Sequence, residues 1–165
     1  MKKVFLLILL FIVSFAKAQD FNAYYSTAQK ALESGMYRKA YDNATKAIEL
    51  NVSSSEARWM RVKSSLTANA PVEYFKTAIL DLNTILSNNP NDATAFKYLA
   101  LAEKELASSI FRYKTGNDYL TNSEVHYNNA ISACENAIKI DPFLKEELQY
   151  SIKEIKREIV RIKES

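Results

Sequence analysis

An amphipathic helical pattern that returns three times along the chain is the feature that most constrains the fold. Between Leu32 and Val52, a glycine turn precedes small and apolar residues that recur every three or four positions, which is the spacing of one helix face. Comparable stripes return over 75–86 and 127–138. A lone helix cannot bury such a stripe, so the pattern predicts helical hairpins packed side by side. The first stripe consists of Tyr37, Ala40, Tyr41, Ala44, Ala47 and Ile48.

The first 18 residues have the composition of a secretory signal peptide. A lysine pair precedes the apolar run Val4–Ala16, and the small-x-small sequence Ala16-Lys17-Ala18 follows it. As a helix the run would extend only about 20 Å, which is short of the roughly 30 Å hydrocarbon core of a bilayer. We therefore expect cleavage after Ala18, export to the periplasm or the medium, and no stable membrane span. The alternative is a retained hydrophobic anchor.

The charge of the remaining chain argues against nucleic acid as a partner. Three of the 22 lysines and arginines lie in the leader, which leaves 19 basic residues against 19 acidic ones. Binding to DNA or RNA depends on neutralising phosphates, and a neutral chain has no basic surface for it. With 48% hydrophobic residues and few glycines or prolines, residues 19–165 are expected to form one globular domain.

The residues that could support catalysis or metal binding are few. Cys134 and His126 are the only cysteine and the only histidine, so the chain lacks a disulfide framework and a metal-ligand set. On one helix they would lie about 12 Å apart, whereas a nucleophile and its base must be about 3 Å apart. We expect Cys134 to be a core thiol, His126 to be a surface or packing residue, and the protein to be a non-enzyme without cofactor or metal.

Turn and capping residues predict where the helices begin and end. Gly35 suits the end of the first helix, and Ser53-x-x-Glu56 reads as a capping box that opens the third. Asp141-Pro142 is predicted to open the last helix. Glu103 occupies a position of an apolar stripe, so either the helix rotates there or the carboxylate reaches solvent or a partner. The predicted helices cover 21–34, 37–50, 72–87 and 122–140, and the last of these has an alternative start one turn earlier, at 118–121. A further helix carries the stripe Trp59, Val62 and Leu66 and ends at Asn69-Ala70-Pro71, with Pro71 placed at the first turn of the next helix. The two remaining stripes are Phe96, Leu99, Leu106, Ile110 and Tyr113, and Leu144, Leu148, Ile152, Ile155, Ile159 and Ile162.

These hairpins resemble the tetratricopeptide repeat, a 34-residue helix-turn-helix unit. The resemblance is carried by Ala40-x3-Ala44, Ala78-x3-Leu82 and Ala130-x3-Cys134 in the second helices, and by Phe96-x2-Leu99-Ala100 in a first helix. Val52, Pro90 and Pro142 stand where the family has proline, at spacings of 38 and 52 residues, so the third hairpin is longer than the family unit. The resemblance implies an all-α superhelix with repeats over 21–54, 55–91 and 92–142 and a capping helix over 143–163.

The resemblance further implies a right-handed superhelix whose concave groove, lined by the first helix of each hairpin, binds a peptide or a partner helix. Tyr25, Gln29 and Met60 depart from the lysine and asparagine clamp with which part of the family grips chaperone C-termini. The function implied is an exported, non-enzymatic protein-interaction scaffold. The alternative is a structural subunit that oligomerises or docks on an envelope complex through the third hairpin and the last helix. The groove positions carried over are Asn22, Tyr25, Gln29, Met60, Ser64, Lys97, Leu101 and Lys104.

Overall fold

The computed structural model describes the backbone of residues 2–67, 70–116 and 118–165, and side chains from Ala18 onward. The side chains of the predicted signal peptide before Ala18 therefore lie outside the part of the chain that the structure describes. So do Asn69 and Asn117, which fall in two of the predicted turns.

All of the described secondary structure is helical, which confirms the all-α prediction. Within the described ranges there is no strand, and no helix combines the length and the apolar character needed to cross a membrane. Helix α2 has the predicted bounds, and α6 includes the additional first turn before Asn122. The helices are α1 (Lys2–Glu33), α2 (Tyr37–Leu50), α3 (Ser55–Ser65), α4 (Val72–Asn88), α5 (Ala93–Tyr113), α6 (Tyr119–Ile140), a 3-10 helix (Pro142–Leu144) and α7 (Lys145–Lys163).

The chain divides into two compact units, residues 1–64 and residues 65–165. In the first unit, α1 packs along α2 through buried alanines, which lack the bulk that would hold two helix backbones apart. Gly35 has a φ of +71° in the turn between these helices, a conformation that favours glycine. One apolar cluster of this unit contains Ala47, Ile48 and Ala57, with Phe21, Tyr24 and Tyr25 packed against it.

In the second unit, each helix packs against the next one along the chain. Helix α6 contacts both α5 and α7, whereas α5 and α7 scarcely touch each other. The buried residues of α6 are mostly small, so both neighbours lie close to its axis. One cluster joins Ala107, Tyr127, Ala130, Ile155 and Ile162, and another joins Ala100, Ala133, Cys134, Ala137 and Leu148. Helix α6 therefore lies beneath α5 and α7, which are separated by a gap, and it forms the floor of that gap.

Four local predictions need correction. The cap of α3 is Ser54, not Ser53: α3 begins at Ser55, and the Ala57 N–H donates to Ser54 Oγ at 3.1 Å. Pro71 precedes α4 as its N-cap residue, with a ψ of 147°, instead of lying in its first turn. Tyr113 is 63% exposed because it ends α5, and Phe111 packs inward in its place.

The fourth correction concerns the last helix, which does not start directly at the Asp141-Pro142 signal. Asp141 Oδ1 accepts a hydrogen bond from Phe143 N–H at 3.0 Å, as a capping residue should, but the turn that it caps is a 3-10 helix. Helix α7 then begins at Lys145. Its predicted stripe is confirmed, with Leu148, Ile155 and Ile162 buried.

Candidate functional site

A groove runs between α5 and α7 over the floor made by α6. At the end of the groove near Thr94 it forms a cleft of about 380 Å³. Each wall is one face of a helix, because the lining residues recur at spacings of three and four. The wall on α5 consists of Thr94, Lys97, Tyr98, Leu101 and Lys104; the wall on α7 consists of Glu147, Leu148, Ser151 and Ile155.

The groove continues along both helices beyond this cleft. A second cleft of about 380 Å³ shares Lys104 and Ile155 with the first, and a third of about 420 Å³ shares Arg112 and Glu158 with the second. Thr94 and Arg112 mark its two ends on α5, which are roughly 27 Å apart at 1.5 Å per residue. The three clefts are therefore one continuous site, which we call the α5–α7 groove.

The two walls carry charges of opposite sign. The α5 wall carries three cations, Lys97, Lys104 and Arg112. The α7 wall carries three carboxylates, Glu147, Glu154 and Glu158. One ion pair spans the groove near its Thr94 end, where Lys97 Nζ lies 2.8 Å from Glu147 Oε1. The other two charge contacts stay on their own walls: Lys104 lies 3.8 Å from Glu105, and Arg161 lies 3.3 Å from Glu158.

The floor of the groove is neutral and closely packed. Burial, with a smaller contribution from the charge of Glu135, raises the pKa of the Cys134 thiol to about 11. The thiol is therefore protonated at neutral pH and is a poor nucleophile. Burial also raises the pKa of Tyr127, and the nearby Glu158 carboxylate contributes in the same direction. These two side chains provide a surface for packing rather than groups for acid–base chemistry at neutral pH.

A hydrogen bond between a buried carboxylate and a histidine joins α5 to α6. Glu103 is only 6% exposed, and its Oε2 accepts a hydrogen bond from His126 Nδ1 at 2.6 Å. The sequence marked Glu103 as a charge in an apolar stripe with three possible outcomes, and the structure selects a partner. The sequence alone did not identify His126 as that partner, because the pairing depends on how α5 and α6 pack against each other.

The predicted groove residues divide between the two units. Lys97, Leu101 and Lys104 lie together on the α5 wall of the groove. The other five lie on α1 and α3 of the first unit. Of these, Asn22 and Gln29 are exposed, Tyr25 stacks on Phe21 with ring centroids 5.8 Å apart, Met60 is half-buried, and Ser64 is fully buried with its Oγ donating to the Met60 carbonyl at 2.6 Å.

Sequence reasoning missed the wall on α7. No residue of this helix was predicted to line a groove, but Glu147, Glu154 and Glu158 line this one. A signal was available: the series 144, 147, 151, 154, 158 repeats the spacing of 94, 97, 101, 104, 108 on α5. Two helices with matching polar stripes, separated by one helix, are well placed to form opposite walls.

Among the described residues, no group of three or more histidine, cysteine, aspartate or glutamate side chains is arranged to hold a metal ion. The groove is lined by apolar and charged side chains. A scan of family models finds no match to this chain, and a search of curated proteins finds none either.

Proposed function

We propose that the protein is an exported, non-enzymatic scaffold of tetratricopeptide-like hairpins that binds an extended segment of another protein in the α5–α7 groove. The observation that supports this most strongly is the groove itself, with two helix walls that run in the same direction over a common floor. The leader composition supports export, and the buried alanines of α2, α4 and α6 support close hairpin packing.

The character of the groove favours a peptide ligand. Its lining offers apolar side chains among the charged ones, including Leu101 at 38% exposed and the half-buried Leu144. Concave apolar surfaces with a small number of polar groups are the usual form of ligand sites, and grooves between helices are a recurring way to bind peptides. The Cys134 thiol on the floor is protonated at neutral pH, which supports a binding role over a catalytic one.

The test is to obstruct the groove and to compare the effect with a matched change outside it. Ser151 lines the groove and Gln149 is exposed on the opposite face of the same helix, two residues away. Peptides would be selected from a phage-displayed library of random dodecapeptides on the chain from residue 19 onward, and their affinities measured by fluorescence anisotropy. We expect Ser151→Trp to weaken binding at least tenfold and Gln149→Trp to leave it unchanged.

Two results would contradict the proposal. Selection that enriches no binding peptide argues against a peptide-binding protein. Peptides that bind equally well to both tryptophan variants would use another surface, and the groove would lose its assigned role. Circular dichroism of each variant confirms that the helices are intact before affinities are compared.

The second candidate function is an assembly subunit, for which the tip of the α5–α6 hairpin provides the motivation. Tyr113 is 63% exposed and Leu120 is 38% exposed there. The outer face of α7 carries Lys153, Lys156 and Arg157 beside the exposed Val160. Sedimentation of residues 19–165 tests this candidate: a dimer that dissociates in the Tyr113→Ser, Leu120→Ser variant would support it, and a monomer at 50–100 μM (about the concentration at which weak contacts form) would exclude it.

A further inference from the structure

We propose that the occupant of the α5–α7 groove is an extended segment in which acidic and basic side chains alternate. Its acidic side chains would face α5, and its basic side chains would face α7. This inference rests on the proposed function, because it names the class of peptide that the groove accepts.

The first step is the separation of charge between the walls. Lys97, Lys104 and Arg112 follow one another at intervals of seven and eight residues, which is two helical turns, so they form one line along α5. Glu147, Glu154 and Glu158 form the corresponding line on α7. Each wall contains one side chain of the other sign, Glu105 on α5 and Arg161 on α7, and each of these contacts a neighbour on its own wall. The net charge is thus positive along α5 and negative along α7.

The second step is the width of the groove. Lys97 and Glu147 meet across it at 2.8 Å, so the gap near this end is no wider than the combined reach of one lysine and one glutamate side chain. An α-helix with its side chains is about 10–12 Å across and would require the walls to separate. An extended chain needs less width, because single side chains that alternate between the two sides can pass between the side chains of the walls. The structure therefore favours an extended occupant.

The third step is the geometry of an extended chain. Successive side chains of a strand point to opposite sides, so a segment that lies along the groove directs odd residues to one wall and even residues to the other. The roughly 27 Å between Thr94 and Arg112 accommodates about eight residues at about 3.3 Å each. Alternation of acidic and basic residues is the pattern that places every charge opposite a wall of the other sign.

The Lys97–Glu147 pair is compatible with an occupant at this end of the groove. Lys97 is 38% exposed and Glu147 is 56% exposed, and ion pairs at such sites are weak. Each partner can exchange the other for a side chain of the ligand at little cost. The pair thus marks where the ligand's own charges would be bound.

The experiment compares two fluorescein-labelled octapeptides of identical composition and net charge, both capped at their termini. The sequence EKEKEKEK separates the charges onto two sides, whereas EEKKEEKK places both signs on each side. Affinities for the chain from residue 19 onward would be measured by fluorescence anisotropy at low ionic strength and at 0.15 M salt. We expect the alternating peptide to bind at least fivefold more tightly, with a smaller difference at the higher salt concentration because exposed charges are screened.

A charge reversal within the groove provides the second arm. Lys104→Glu with Glu154→Lys exchanges the signs of two residues on opposite walls of one cleft, so the net charge of each wall falls to zero and the preference should fall below twofold. Lys153→Glu changes a lysine on the outer face of α7 and should leave the preference intact.

The outcomes separate this inference from the proposed function. If both octapeptides bind equally, and Ser151→Trp weakens both, the groove binds peptides and the alternation inference is wrong. The same conclusion follows if neither octapeptide binds while peptides selected from the random library do. If no peptide of any kind binds, the proposed function fails together with the inference.

Discussion

The buried carboxylate of Glu103 makes the stability of the protein depend on its hydrogen-bond partner, His126. Glu103 is 6% exposed, and His126, whose side chain is 27% exposed, is the partner that contacts it at 2.6 Å. A buried charge without a partner is costly, and removing one member of a buried pair typically destabilises a protein by about 3–5 kcal/mol. Because water reaches part of the histidine ring, the cost here should lie below that range.

We expect His126→Ala to lower the free energy of unfolding at pH 7 by about 2 kcal/mol, since it leaves a buried carboxylate unpaired. Urea denaturation followed by circular dichroism measures the loss. Glu105→Ala, which removes a 40% exposed carboxylate on the same helix, is the control and should change stability by less than about 0.5 kcal/mol. Equal losses for the two variants would show that the pair contributes nothing special. Glu103→Met combined with His126→Leu should recover most of the loss, because both polar groups are then gone.

The Cys134 thiol should be unreactive in the folded protein. It is 1% exposed with a pKa of about 11, so both access and thiolate concentration are low at pH 8. N-ethylmaleimide followed by intact mass should label the native chain far more slowly than the urea-unfolded chain, whereas a Ser26→Cys control on the exposed surface should be labelled rapidly. Native labelling at the unfolded rate would contradict the burial.

The same shift gives a direction for the pH dependence of stability. The folded thiol holds its proton above the ordinary pKa of 9.0, so its contribution is present below pH 9 and is lost as the pH rises towards about 11. The urea midpoint should therefore fall over that interval. The raised pKa of Tyr127 acts in the same direction.

The bounds of α2 could be predicted from the sequence, because they depend on neighbouring residues. The Gly35 turn and the apolar period placed α2 at Tyr37–Leu50, as observed. Pattern alone could not decide between two adjacent serines as the cap of α3, because Ser53 and Ser54 both precede Glu56 closely. The position of the preceding turn decides which serine caps the helix. The Ser53 N–H donates to Asn51 Oδ1 at 3.2 Å, which holds Ser53 in the turn, and Ser54 caps the helix.

The two serines provide a matched test of capping in α3. Ser54→Ala removes the acceptor of the Ala57 N–H and should lower the free energy of unfolding by about 1 kcal/mol, which is the usual value of a serine cap. Ser53→Ala affects an exposed turn and should cost only a few tenths of that. Thermal and urea denaturation of both variants measure the difference. The reverse order would restore Ser53-x-x-Glu56 as the operative capping box.

For the molecule as a whole, three of the eight residues that the family resemblance assigned to a concave surface, Lys97, Leu101 and Lys104, lie on the α5 wall of the groove. No residue of the α7 wall was assigned to it. The α7 wall depends on two helices that are distant in sequence and are brought together mainly by α6. No single local pattern contains that relation, which shows only when the stripes 94–108 and 144–158 are compared, although the apolar stripe of α7 correctly predicted which of its faces is buried.

The groove lies wholly within residues 65–165. We expect this unit to fold without the first one, because its apolar clusters are internal to it. Helical arrays are stabilised mainly by contacts between neighbouring helices, and the clusters around Leu106, Ala107 and Cys134 are all internal to the unit. We expect residues 65–165 to be helical by circular dichroism and to melt cooperatively, at a temperature below that of the full chain. Leu148→Asp, which buries a charge between α6 and α7, is the destabilised control and should abolish the cooperative transition. A broad, non-cooperative melt of the unaltered unit would mean that the first unit is needed for the fold, and with it for the groove.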